Sequence, residues 1–261
     1  MFARRLVIAF AACAWLGAGQ AWAAEAAPAI AAASDLATAL PQVVAAFQRK
    51  TGQGVKLTFG SSGNFTQQIQ NGAPFEVFFS ADEAYVETLA KAGRTDGAGA
   101  LYAIGRLGLF VPLGSPVQPD ARMKGLAAAL KAGQVQTFAI ANPEHAPYGR
   151  AAQECLQHAG VWEALKSHLV LGENVSQATQ FAVAGGAQGG LIPLSLALTP
   201  QVKAAGTFVL LPTACHKPLR QRGVVIKGAG PTARAFYAFM QGREARAILT
   251  RYGFTLPPAG R

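Results

Sequence analysis

Four short stretches of this chain place hydroxyls or free backbone N–H groups where a strand gives way to a helix. They are Ala33-Ser34-Asp35, Gly60-Ser61-Ser62-Gly63, Pro147-Tyr148-Gly149 and Glu173-Asn174-Val175-Ser176. The first turn of a helix carries N–H groups without intrahelical acceptors and the positive end of the helix dipole. Such ends hold anions without any full positive charge. Several of them converging on one cleft would surround a small oxyanion with neutral donors. Each hydrogen bond to a charged group contributes about 1.5–3 kcal/mol, so a handful together would bind tightly even after ordering costs. Taken singly, each turn is also an ordinary cap, and Ser34 as an N-cap needs no ligand.

Other chemistries fit the residues less well. Gly60-Ser61-Ser62-Gly63 lacks the Gly-x-Ser-x-Gly spacing of a nucleophile elbow. A secreted hydrolase using Ser34 or Ser62 would need a general base within hydrogen-bond reach, and the sequence pairs neither serine with a histidine. His145, His158, His168 and His216 show no metal-ligand spacing. The sequence therefore predicts no free metal cation, no cofactor and no catalytic residue. Gly185-Gly186 and Gly189-Gly190 are not followed by Gly-Lys-Ser/Thr, which argues against a nucleotide loop. The 23 Lys and Arg outnumber the 13 Asp and Glu, but they are scattered, with one loose cluster at His216, Lys217, Arg220 and Arg222. Without an aromatic-interleaved basic stripe this is not a nucleic-acid surface. It reads as solubility with a mild attraction for anions.

The elements that must position the four turns alternate between strand and helix almost throughout, the signature of an α/β protein with mostly parallel sheets. Strands are expected at 29–32, 55–59, 75–79, 137–141, 169–171, 190–192, 208–211 and 223–226. Ser34 is expected to cap a helix carrying Leu36, Leu40, Val44 and Phe47, with an irregular start at Pro41. Residues 101–111 read as one long strand crossing between lobes, and 232–252 as a pair of amphipathic helices. Two crossings imply a discontinuous lobe one, 24–106 with 222–261, and a lobe two spanning 107–221. A ligand would lie in the cleft between them, at strand C-termini and helix N-termini.

The chain opens with a secretory grammar. Arg4-Arg5 is followed by a short apolar run from Leu6 to Leu16 and by Ala21-Trp22-Ala23. The expected cut falls after Ala23, by either the general or the twin-arginine route. The run is shorter than the roughly 20 residues a membrane span needs. Cleavage leaves Cys155 and Cys215, which in an oxidising compartment form a disulfide or stand as two small apolar thiols.

The combined pattern resembles the periplasmic molybdate-binding proteins of bacterial ABC transporters over nearly the whole mature length. The matching pieces are Ala32-Ala33-Ser34-Asp35-Leu36, Phe59-Gly60-Ser61-Ser62-Gly63, the run from Gly72 to Asp82, the run from Asn142 to Gly149, Gly172 to Gln177, and Tyr252-Gly253-Phe254. The resemblance implies a two-lobed periplasmic binding protein fold of type II, with a hinge. It implies capture of molybdate or tungstate and delivery to an inner-membrane permease by a monomer that is not an enzyme. It assigns Ser34 and Ser62 as hydroxyl donors, and Tyr148 and Val175 as backbone N–H donors. Ser61 and Asn174 are neighbouring candidates. Asp35 is expected to turn its carboxylate away from the anion. Some members add a tyrosine hydroxyl from a later turn, where Pro193 stands here. Pro193 offers neither hydroxyl nor N–H, and Ser195 behind it reads as a cap of the next helix. Sulfate, thiosulfate or another oxyanion is the competing ligand. The competing classes are the serine hydrolase and an exported scaffold or sensor without a small ligand.

Overall fold

Parallel strand register brings the turns together in pairs. A computed structural model describes residues 26–184 and 186–257; the expected signal segment lies outside the described residues. In chain order the first half comprises β1 (Ala29–Ala33), α1 (Leu40–Thr51), β2 (Lys56–Gly60), α2 (Ser62–Gln70), β3 (Val77–Ser80), α3 (Glu83–Lys91), β4 (Ala100–Gly105), β5 (Leu107–Pro112), α4 (Lys124–Lys131) and β6 (Phe138–Ala141). The second comprises α5 (Pro147–His158), α6 (Trp162–Leu165), β7 (Leu169–Gly172), α7 (Val175–Ala184), β8 (Gly189–Pro193), α8 (Leu194–Ala197), α9 (Pro200–Ala205), β9 (Gly206–Leu210), β10 (Leu219–Val225), α10 (Pro231–Met240) and α11 (Arg243–Arg251). Two five-stranded sheets result, in the orders β2-β1-β3-β10-β4 and β7-β6-β8-β5-β9.

Both sheets are mixed. β1, β2 and β3 pair in parallel, as do β6, β7 and β8. β10 runs antiparallel to β3 and β4, and β5 runs antiparallel to β8 and β9. In each sheet the odd strand has just crossed from the other lobe. The strands that carry the site run toward the cleft, so a strand that starts at the cleft must run away from it.

The expected single strand over 101–111 is therefore two strands in two sheets, separated by Arg106. The return strand enters sheet one at Leu219, which pairs with Gly105, ahead of the boundary expected at 222. The helix expected after Ser34 is also divided. Ser34–Leu36 forms a 3-10 turn with no side-chain cap, and α1 begins at Leu40 with Pro41 in its first turn. A proline has no N–H to offer and suits that position.

Each sheet buries both faces. In lobe one, Phe47, Phe79 and Phe236 pack edge-to-face under α1 and α10, with centroids 5.3 Å (Phe47–Phe236) and 6.1 Å (Phe79–Phe236) apart. Phe65 and Phe78 fill the opposite face with α2 and α3. In lobe two, Leu109, Phe138 and Ile140 lie on the face covered by α4 and α5, and Phe110, Ala139 and Ile192 on the other. The first of these clusters extends across the cleft to Ala33 and Ala81 of lobe one. Cys155 in α5 and Cys215 are joined as a disulfide with Cα atoms 4.6 Å apart, which ties α5 to the segment leading into β10. Among the described residues no helix is long and apolar enough to cross a membrane.

Candidate anion site between the lobes

The site follows from register. Ala33 pairs with Gly60 at the ends of β1 and β2, so Ser34 and Ser61-Ser62 leave sheet one side by side. Ala141 pairs with Gly172 at the ends of β6 and β7, so the loop to Tyr148 and the turn to Val175 leave sheet two side by side. The two pairs face each other. Ser34, Ser61, Ser62, Tyr148 and Val175 line one small cavity with Asp35. All six are buried. No Lys, Arg or His is among the lining residues.

Local geometry leaves donors over. Ser61 is the N-cap of α2, where its Oγ accepts the Asn64 N–H at 3.4 Å. Ser62 is thus the first residue of that helix, and its N–H has no intrahelical acceptor. Its Oγ accepts the Ala81 N–H at 3.0 Å, which leaves the hydroxyl proton to donate. Ser34 Oγ accepts the Ser176 N–H at 3.3 Å, with the same consequence. In lobe two, Pro147 occupies the first turn of α5 and Tyr148 follows it. Val175 opens α7. Among the described residues the N–H groups of Ser62, Tyr148 and Val175 meet no protein acceptor.

Asn174 stands apart from this group. Its Oδ1 accepts the N–H groups of Ser176 at 3.0 Å and Gln177 at 3.2 Å. It caps α7 and does not line the cavity.

The lobes are closed on each other. Ser176 Oγ donates to the Ser34 carbonyl at 2.9 Å, and the Gly63 N–H to the His145 carbonyl at 2.9 Å. A Cβ at Gly63 would lie 2.7 Å from that carbonyl oxygen, so only glycine allows this approach. Ser195, expected to cap α8, instead donates to the Asp35 carbonyl at 2.7 Å. Pro193 holds the position ahead of α8. Around the mouth the ties are charged: Arg150 bonds Asp82 at 2.7 Å and the Tyr85 hydroxyl at 2.7 Å. His145 Nδ1 lies 3.1 Å from Ser61 Oγ, and its Nε2 lies 3.6 Å from Glu173 Oε2. This serine–histidine contact joins two turns 84 residues apart in sequence, and no spacing signal announces it. Ser61 is buried with its Oγ already engaged as a cap, so the contact works as a tie across the cleft.

Sequence reasoning also missed the buried polar group beside the cavity. Gln221 Nε2 of β10 donates to Asp35 Oδ2 at 2.5 Å and to the Tyr148 hydroxyl at 3.3 Å. Tyr102 of β4 donates to Gln221 Oε1 at 2.7 Å. Burial pushes the Asp35 carboxyl up to about 7, against the pull of the neighbouring Gln221 amide and Tyr148 hydroxyl. Burial, then the nearby Asp35 charge, push both tyrosine hydroxyls well above their ordinary range. Gly105 makes room for this group, since a Cβ there would meet the Tyr148 hydroxyl at 2.2 Å.

Two α/β lobes closed over a small cavity without cationic side chains define an extracellular solute-binding protein. The chain belongs to the family described as bacterial extracellular solute-binding protein, whose model matches residues 29–255. Molybdate-binding proteins are among the relatives it matches. It is 37% identical over 257 residues to the molybdate-binding protein ModA of Azotobacter vinelandii, covering 97% of each chain. It is 36% identical over 227 residues to the molybdate-binding protein ModA of Rhodobacter capsulatus, covering 86% of each. The solved periplasmic molybdate-binding protein of Azotobacter vinelandii superposes with a TM-score of 0.79 at 32% identity, over 88% of this chain and 99% of that one.

Proposed function

We propose that this protein is the solute-capturing subunit of an ABC importer and that its ligand is molybdate, with tungstate as the second substrate. The observation that carries the reading is the cavity itself. It is buried, holds no cationic side chain, and is ringed by hydroxyls and by helix N-terminal N–H groups without protein acceptors. That donor set suits a fully deprotonated tetrahedral dianion, which accepts everywhere and donates nowhere. Ser34 and Ser62 donate hydroxyls, Ser62, Tyr148 and Val175 donate N–H groups, and Ser61 supports the α2 end. The molybdate-binding relatives support the choice of ligand. Sulfate wants the same donors, so selection rests on cavity size.

The moving units are the two expected lobes, with residues 219–221 assigned to lobe one because they pair with β4. Donors from both units meet one anion only when closed, so the anion stabilises the closed population. The protein does no covalent chemistry and needs no cofactor. It is exported to the periplasm by a signal segment cleaved after Ala23, works as a monomer, and hands its anion to a membrane permease.

Calorimetric titration of the mature, dialysed protein with molybdate, sulfate and phosphate tests this. Tight one-to-one molybdate binding with weak or absent sulfate binding is the expected result. Equal binding of sulfate, or no heat with molybdate, would assign the fold to another solute.

A further inference from the structure

Asp35 is an odd neighbour for an anion. Its side chain is completely buried, it lines the cavity, and among the described residues its Oδ1 has no hydrogen-bond partner while Oδ2 is held by Gln221. No cation lines the cavity to balance a carboxylate. An ionised Asp35 beside a bound dianion would place three negative charges in one neutral, buried space, where charges interact far more strongly than in water. The unpartnered oxygen would then remain a buried acceptor with no donor.

We propose that Asp35 works in its neutral form, with the proton on Oδ1, and that capture of the oxyanion therefore takes up a proton from solution. The inference rests on the anion-site reading above and extends it. Protonation turns the orphan acceptor into a donor and removes the repulsion in one step. When the lobes part, water reaches the carboxyl and it returns toward the ordinary carboxylate range, so the open form at neutral pH is ionised. Closure over the anion then binds one proton per anion.

The groups facing Asp35 do not compete for that proton. Tyr148 comes from α5 and Tyr102 from β4, and both are held protonated by burial. Gln221 of β10 and Ser195 of α8 are neutral hydrogen-bonding partners. The upward displacement of the Asp35 carboxyl to about 7 in the closed cleft agrees with this placement, and a bound dianion pushes it further in the same direction. The sign is fixed: affinity is greatest at low pH and falls as pH rises above the open-form value.

The test is calorimetric titration of the mature protein with sodium molybdate at pH 7.5, in two buffers of different ionisation enthalpy. The difference in heat counts protons. Uptake approaching one proton per molybdate is expected, with the dissociation constant rising by up to about tenfold per pH unit above neutrality. The Asp35→Asn variant supplies a permanent amide donor and should show neither uptake nor pH dependence. Molybdate heat without proton uptake overturns this inference alone. Uptake that persists in Asp35→Asn overturns the assignment to Asp35. No molybdate heat at all overturns the anion-site reading and this inference with it. Should Asp35→Asn fail to fold, the proton count of the natural protein decides.

Discussion

The two lobes build their halves of the site by the same device but from different atoms. In each, paired parallel strands end in register and release two turns side by side. Lobe one then offers side-chain hydroxyls, Ser34 and Ser62, each with its oxygen already engaged as an acceptor. Lobe two offers backbone N–H groups at Tyr148 and Val175, with the Val175 side chain packed into the core and the Tyr148 hydroxyl reaching Gln221 of lobe one. The difference teaches where substitutions should be felt. Lobe one depends on residue type, whereas lobe two depends on where its helices start.

The largest effect expected from that contrast is in lobe one. Ser34→Ala with Ser62→Ala removes two charge-assisted hydrogen bonds of about 1.5–3 kcal/mol each, so molybdate affinity should fall at least about a hundredfold by calorimetry. A loss under tenfold would mean that the backbone donors carry the site. Lobe two should be most sensitive to its staple. Replacing Cys155 and Cys215 by serine should destabilise the protein by about 2–5 kcal/mol in denaturant unfolding. The affinity of the folded remainder should change less than the stability, because β6–β7 register still sets the turns. A comparable collapse in both would show that the disulfide holds α5 in place for binding.

Gly63→Ala probes the contact between the halves. Its Cβ meets the His145 carbonyl, and overpacking of this kind costs about 1–3 kcal/mol. The cost appears only on closing, so affinity should drop about ten- to a hundredfold while the melting temperature of the ligand-free protein moves little. A matched loss of melting temperature would mean that the empty protein rests closed. The smallest effect should be Val175→Ala, which keeps the N–H and trims a buried side chain: an affinity within about threefold of the natural protein, with a stability loss of about 1–2 kcal/mol. A large affinity loss there would erase the contrast between lobes.

Proton linkage separates the buried Asp35 from both sets of donors. Its carboxyl is raised in the closed fold, so it binds more protons folded than unfolded between its ordinary value near 3.8 and about 7. Its contribution to stability is complete below that window and is lost as pH rises through it. In the molybdate-saturated protein, where the lobes are closed, Asp35→Asn should therefore raise the melting temperature more at pH 8 than at pH 5. An equal shift at both would leave the residue without a pH-dependent role in the closed protein.

Much of the fold was legible in local pattern. The alternation of apolar runs with amphipathic stretches marked an α/β chain, and the four turns could be placed because capping residues and prolines punctuate them. Element ends were less legible. The run 101–111 reads as one strand because nothing in its hydropathy records that Arg106 lies between two sheets. Ser195 read as a cap because its position before an apolar stretch looks the same whether its hydroxyl serves its own helix or the Asp35 carbonyl across the cleft.

The sequence by itself therefore determined the elements, the helix starts and the residue types that could receive an anion, since each depends on neighbours a few positions apart. Only the tertiary structure decided which of those groups share one space. Strand register put Ser34 beside Ser61-Ser62 and the Tyr148 turn beside Val175. Closure brought the pairs face to face, and two crossing strands carried Tyr102 and Gln221 to Asp35. That group draws on residues up to 186 positions apart. Its chemistry, a carboxyl held near neutrality, comes from desolvation, which no local pattern encodes.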